Sequence, residues 1–202
     1  MKKLLITTGP QGSGNHLFAR IFSLHPEVVG WEKLKENYFC APQVFFFEPQ
    51  QQWYLIYQDG NFGAAYATTT DISDPASWSY AAPLEVWAGM GWDFFVICDD
   101  EYAYLYNTPH GNSRTIIVRK TKLEDFPVGW GDHSVAVRDT FEGVAVYKCL
   151  SDNLYYLLVE DLRDNRYYEL HAATNPMGPW KKVDEKWAPR HNISFTAEAW
   201  TD

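Results

Sequence analysis

Phe94-Phe95-Val96-Ile97-Cys98, Ala103-Tyr104-Leu105-Tyr106 and Thr115-Ile116-Ile117-Val118 decide the fold class. Each is a short run of β-branched and aromatic side chains, too brief for a helix, and the turn-forming Pro109-His110-Gly111-Asn112 separates the second from the third. The same texture extends outward in both directions. Upstream it covers Val44 to Phe47 and Trp53 to Tyr57, and downstream Val144 to Tyr147, Tyr155 to Val159 and Tyr167 to His171. Asp59-Gly60-Asn61, Ser151-Asp152-Asn153 and Asp164-Asn165 supply further turns. The pattern predicts an antiparallel all-β domain over residues 39–202.

A weak internal repeat runs through this region: a hydrophobic strand, a turn, a strand ending in Thr or His, then a loop with Pro near a large aromatic. It is visible in Thr68-Thr69-Thr70 with Pro75 and Trp78, in Lys120-Thr121 with Phe126-Pro127, and in Ala172-Ala173-Thr174 with Pro179-Trp180. The period of about 50 residues suits a four-stranded propeller blade, and about three blades fit. Trp78 and Trp180 are then expected in the core between blades.

Residues 1–38 read differently. An apolar run from Lys2 to Ile6 enters Gly9-Pro10-Gln11-Gly12-Ser13-Gly14-Asn15-His16, and Leu17, Phe18, Ile21, Phe22 and Leu24 follow at helical spacing. A strand, a glycine-rich turn and a helix are predicted, with backbone N–H groups free to hold a phosphate at the helix N-terminus. Gly9 and Gly14 have GxxxxG spacing, but Asn15 stands in place of the phosphate-binding Lys and His16 in place of the hydroxyl that binds magnesium.

Composition narrows the partners. Seventeen basic residues against 26 acidic ones give a net charge of -9, which disfavours nucleic acid. Aromatic residues form 17% of the chain, including nine Trp and thirteen Tyr, and suit a neutral polymer such as a polysaccharide. Cys40, Cys98 and Cys149 have no CxxC spacing and read as buried strand thiols, so neither a disulfide framework nor a metal site is expected. His133 and His191 lack partners at metal-binding spacing and read as loop residues. No cofactor is expected. After Lys2-Lys3 only Leu4-Leu5-Ile6 is apolar, so neither a signal peptide nor a membrane span is expected.

The stretch from Ile6 to about Trp31, including Leu24-His25-Pro26-Glu27-Val28, resembles the opening of the sulfotransferase superfamily. That resemblance implies a P-loop at Gly12, Ser13, Gly14 and Asn15 holding the phosphosulfate of a donor nucleotide. The further βα units that would complete such a site do not follow.

From Cys40 onward, many ordered segments resemble glycoside hydrolase family 62. They include Ala41-Pro42-Gln43-Val44-Phe45, Trp53-Tyr54-Leu55-Ile56-Tyr57-Gln58, Asp93-Phe94 with Val96-Ile97-Cys98-Asp99, and Phe141-Glu142 with Val146-Tyr147-Lys148. Tyr156-Leu157-Leu158-Val159-Glu160 and Gly178-Pro179-Trp180 continue the series. The resemblance implies a partial five-bladed β-propeller acting as an inverting α-L-arabinofuranosidase on arabinoxylan or arabinan. Such an enzyme is extracellular; the present N-terminus, taken as real, would place the chain in the cytoplasm.

Glycoside hydrolysis needs a carboxylic acid on one side of the bond and a carboxylate on the other. By resemblance, Glu142 is the general acid and Asp93 the residue that tunes it and holds the sugar. Asp93 lies between Trp92 and Phe94, and Glu142 follows Phe141, which gives each an apolar side. Gln58, Asp59, Tyr66 and Tyr147 fall at the wall of the sugar pocket. The blade carrying the general base has no counterpart, and Glu36 in Trp31-Glu32-Lys33-Leu34-Lys35-Glu36-Asn37 is the nearest echo of the base. Ala145 replaces a usual Asn, and a last-blade His is not reached. Slow or absent hydrolysis is therefore expected. A non-catalytic carbohydrate-binding propeller and a remnant of a nucleotide-dependent sulfotransferase are the alternative functions.

Overall fold

The computed structural model describes residues 39–59, 63–84, 91–110, 114–161 and 167–189. Apart from two short 3-10 turns, Glu48–Gln50 and Pro75–Ser77, every regular element described is a strand. The chain divides into two compact units, Met1–Ala88 and Gly89–Asp202.

The first unit contains β1 (Phe39–Phe47), β2 (Gln52–Asp59), β3 (Gly63–Thr69) and β4 (Ala82–Pro83) in one antiparallel sheet of that order. The second contains β5 (Trp92–Cys98), β6 (Tyr102–Thr108), β7 (Thr115–Lys122) and β8 (Ser134–Arg138) in one sheet. Its other sheet contains β9 (Ala145–Lys148), β10 (Tyr155–Glu160), β11 (Tyr167–Ala173) and β12 (Lys181–Pro189), again with consecutive strands paired. All three are up-and-down meanders, as expected for strands joined by short turns.

The same turn clamp recurs in each sheet. Between the first and second strands, the Tyr104 hydroxyl donates to Asp99 at 2.6 Å, the Tyr156 hydroxyl to Asp152 at 2.7 Å and the Tyr54 hydroxyl to Gln50 at 2.5 Å. Asp99 and Asp152 also accept backbone N–H groups of their own turns, so one side chain closes both the turn and the start of the next strand. A second recurrence lies at the end of the third strand. Buried Thr69 and Thr121 direct their hydroxyls into the following loops, Thr69 meeting Asp71 and Ser77 and Thr121 donating to the Val128 carbonyl at 2.7 Å.

Within the second unit the two sheets share one core. Tyr104, Tyr106, Ile116, Val118 and Val137 from the first pack with Val144, Val146, Leu157 and Val159 from the second, and Trp180 closes against them. Burial of each such aliphatic side chain contributes roughly 1.5–3 kcal/mol. Tyr106 keeps its hydroxyl satisfied at the centre of this core by donating to the Pro176 carbonyl at 2.6 Å. Trp180 meets the Tyr106 ring edge-on, while Trp78 of the first unit is half-buried.

The first strands of two sheets, β1 and β5, are kinked where they begin to pair. In β5, Trp92 pairs with Thr108 and Phe95 with Tyr106, so two residues, Asp93 and Phe94, face the one residue between them. Asp93 takes a left-handed backbone with φ 58° to absorb the extra residue. Ala41 does the same in β1 at φ 48°, and Gly143 is left-handed at φ 74° in the turn that leads into the unbulged β9. Asp and Gly tolerate this region better than most residues. These left-handed residues recur at the repeat length of about 50 residues.

Some sequence expectations need correction. Four strands per sheet agree with the repeat length, but the sequence does not locate the fourth strands β4, β8 and β12, which are sheet edges, β4 being only two residues long and β12 rich in charge. The ladder of β9 starts at Ala145 rather than Val144, since Gly143 turns the chain first. Two of the cysteines are not buried strand thiols: Cys98 ends β5 and is exposed, and Cys149 lies past β9, half-buried. Both sit where the chain leaves its sheet. The strand, loop and helix expected in residues 1–38, with Gly12, Ser13, Gly14, Asn15 and Glu36, lie outside the described residues.

One buried charge cluster tunes stability. Glu169 on β11 is fully buried, accepts from Lys182 at 2.8 Å and contacts His171 at 3.0 Å. Burial alone pushes its carboxyl up, but the His171 and Lys182 interactions outweigh burial and hold it at about 2, below the ordinary 4.5. A carboxylate depressed in this way stabilises the fold fully above its unfolded pKa and loses that contribution as pH falls toward its folded pKa. Glu169→Gln should therefore cost about 2 kcal/mol at neutral pH. The gap from wild type should close as urea denaturation is repeated from about pH 5 down to about pH 2; a constant gap would contradict the assignment.

Asp93 provides a second test of the fold. Asp93→Ala places a Cβ without a polar group in the left-handed region and removes the acceptor described below, a loss of about 2–3 kcal/mol in urea denaturation. Asp93→Asn, which tolerates the same backbone and still offers an amide oxygen, should lose less than half as much. Equal losses would show that neither the kink nor the acceptor is responsible.

Candidate active site

The bulge in β5 and the left-handed turn before β9 bring two carboxylates to one place. The Asp93 Oδ2 accepts the Gly143 backbone N–H at 3.0 Å, and Gly143 directly follows Glu142. The left-handed turn at Gly143 comes just as the chain enters β9, and the buried Asp93 carboxylate receives its N–H. On its other side, the segment carrying Glu142 is tied to β10. Phe141 N–H donates to the Glu160 carbonyl at 2.7 Å, Glu160 N–H donates to the Glu142 carbonyl at 2.9 Å, and the Thr140 hydroxyl donates to the Glu160 carbonyl at 3.1 Å. The backbone of Glu142 is thus held between two elements.

Its side chain is held as well. The Trp92 indole Nε1–H donates to Glu142 Oε2 at 2.9 Å. Trp92 opens β5 opposite Thr108, and the residue before it, Gly91, has φ 116°. A Cβ at Gly91 would fall 1.7 Å from the Thr108 carbonyl oxygen, so only glycine lets the chain approach there. The His110 ring contacts the Trp92 indole edge-on at 5.8 Å.

Asp93 is 3% exposed and Phe94 beside it 2%, whereas Glu142 is half-buried. One carboxylate is therefore enclosed and hydrogen-bonded to backbone, and the other is reachable from solvent. Two acids of differing environment at one place can divide proton donation from charge or substrate holding. Tyr147, five residues after Glu142 on β9, sets its ring edge-on against Phe95 of β5 at 5.8 Å and remains 38% exposed. Among the described residues no group of His, Cys, Asp or Glu is arranged to hold a metal ion.

Asp93, Glu142 and Tyr147 thus belong to the second unit, and the first two are linked by a hydrogen bond to the intervening backbone. Gln58, Asp59 and Tyr66 belong to the first unit. Gln58 pairs with Ala64, Tyr66 pairs with Ile56, and the Tyr66 ring stacks on Tyr54 at 5.6 Å. The backbone of Asp59 pairs with Phe39 and Gly63. The contributions of Trp92 and Gly91 escaped sequence reading. Adjacency of Trp92 to Asp93 is visible in the sequence, but the indole's partner lies 50 residues away.

Comparison with known proteins places these features in a family. The family described as "Glycosyl hydrolase family 62" matches residues 17–202, and that match begins within the stretch 1–38 whose sequence texture differs. Alpha-L-arabinofuranosidase C of Cellvibrio japonicus is 35% identical over 176 residues, which cover 80% of this chain and 27% of that protein. The catalytic domain of the Coprinopsis cinerea GH62 α-L-arabinofuranosidase superposes with TM-score 0.67 at 32% identity, over 75% of this chain and 52% of that one. The α-L-arabinofuranosidase of Podospora anserina, solved with cellotriose, gives TM-score 0.66 at 32% identity over 75% of this chain and 52% of that chain. The chain therefore spans about half the length of these solved relatives. The ordered matches and the fold agree: this chain belongs to glycosyl hydrolase family 62.

Proposed function

We propose that the chain carries the acid half of an α-L-arabinofuranosidase site that removes arabinose side chains from arabinoxylan or arabinan with inversion. In this reading the three sheets correspond to blades of a five-bladed propeller. The observation that supports it best is the hydrogen bond from Gly143 N–H to Asp93, which puts the buried acid beside the residue that follows Glu142.

Glu142 acts as the general acid. Half-buried and held at one oxygen by Trp92, it can donate a proton to the glycosidic oxygen as the bond to the anomeric carbon breaks. Asp93, enclosed and satisfied by backbone, holds the sugar and sets the charge around Glu142. Water attacks the anomeric carbon from the opposite face and gives its proton to a second carboxylate. The blade that would carry that carboxylate has no counterpart in the sequence, and Glu36 is its nearest echo. Gln58, Asp59, Tyr66 and Tyr147 supply polar and stacking contacts to the sugar. The cellotriose bound by the Podospora anserina relative agrees with a polysaccharide chain as partner.

The test is release of arabinose from arabinoxylan by the purified chain. Glu142→Gln should lower the rate by about a hundred-fold or more, and Glu36→Gln by a similar factor if it is the base. Release that survives Glu142→Gln would overturn the acid assignment. Retained binding to arabinoxylan with no release by wild type would instead favour the non-catalytic carbohydrate-binding reading.

A further inference from the structure

Glu142 presents two oxygens, and only a protonated one can serve as acid. The Trp92 indole N–H is a donor with no acceptor capacity, and it points at Oε2 from 2.9 Å. In a protonated carboxyl group the carbonyl oxygen accepts hydrogen bonds better than the hydroxyl oxygen does. From this geometry we infer that Trp92 is a positioning residue that assigns the catalytic proton of Glu142 to Oε1 and stabilises the carboxylate left after that proton is given away. The inference rests on the arabinofuranosidase reading above.

The indole is held where this requires. Trp92 is paired to Thr108 across β5 and β6, its ring is flanked by His110, and Gly91 allows the backbone approach that starts the strand. When Oε1–H protonates the glycosidic oxygen, the bond from that oxygen to the anomeric carbon breaks, and water adds its hydroxyl to that carbon while giving its other proton to the second carboxylate of the proposed mechanism. Glu142 is left ionised, and the indole N–H on Oε2 becomes a hydrogen bond to a charged acceptor, which is stronger than one to a neutral acceptor. The gain therefore falls where charge develops rather than in the ground state.

Two measurements on the full chain test this, and they separate its failure from failure of the enzymatic reading. In the nitrogen–proton spectrum, the Trp92 indole resonance, identified by its loss in Trp92→Phe, should move with pH in wild type and stay fixed in Glu142→Gln. A resonance indifferent to both would overturn the inference even in an active enzyme. The second measurement compares leaving groups. Trp92→Phe should lower kcat on arabinoxylan about tenfold with little change in KM, yet barely affect a dinitrophenyl arabinofuranoside, whose leaving group departs without protonation. Equal losses on both substrates would reduce Trp92 to a structural role and overturn its action through the acid. A titrating indole in a chain that releases no arabinose would support the hydrogen bond and sink the activity instead.

Discussion

The hydrogen bond from Gly143 N–H to the Asp93 carboxylate runs from the turn before β9 to the bulge in β5. A carboxylate buried to 3% exposure must find donors, and a backbone N–H turned out of its ladder must find an acceptor. Each satisfies the other. The pairing ties the two sheets to the geometry of the site, because a shift of either segment breaks this bond. The core shared by Tyr106, Val146 and Leu157 joins the same two sheets that this bond links.

Around this link the architecture is repetitive. Each meander has its own tyrosine-clamped first turn, and the buried threonines at the ends of β3 and β7 lead their own loops. What varies between repeats is the left-handed residue at the entry: alanine in β1, aspartate in β5 and glycine before β9. Only the aspartate brings a titratable group. A left-handed residue at the entry to each meander thus holds an ionisable side chain in one of them.

Much of this was legible in the sequence, and the remainder fails for identifiable reasons. Central strands such as β6 and β10 are buried on both faces and announce themselves as continuous apolar runs. The edge strands β8 and β12 pair on one side only, and residues such as Lys181, Lys182 and Asp184 in β12 give no apolar pattern. Asp93 and Glu142 were recognisable because they stand beside Phe94 and Phe141 in segments that resemble a known family. The bulge at Asp93 was not, since two residues facing one is a property of pairing and leaves no local signature. The same holds for Trp92: its hydrogen bond to Glu142 depends on the docking of two sheets, which no window of sequence contains.

The tyrosine clamps have a kinetic consequence. Tyr104 reaches Asp99 and Tyr156 reaches Asp152 over separations of five and four residues, whereas Asp93 and Gly143 stand 50 apart. Closing a short loop sacrifices less chain entropy than closing a long one, so contacts of low sequence separation form on the faster timescale. The clamped hairpins accordingly belong to the early events, and the bond that unites the two acids belongs to the late docking of one finished meander on another. The site is then among the last parts of the second unit to assemble and, by the same reasoning reversed, among the first to open.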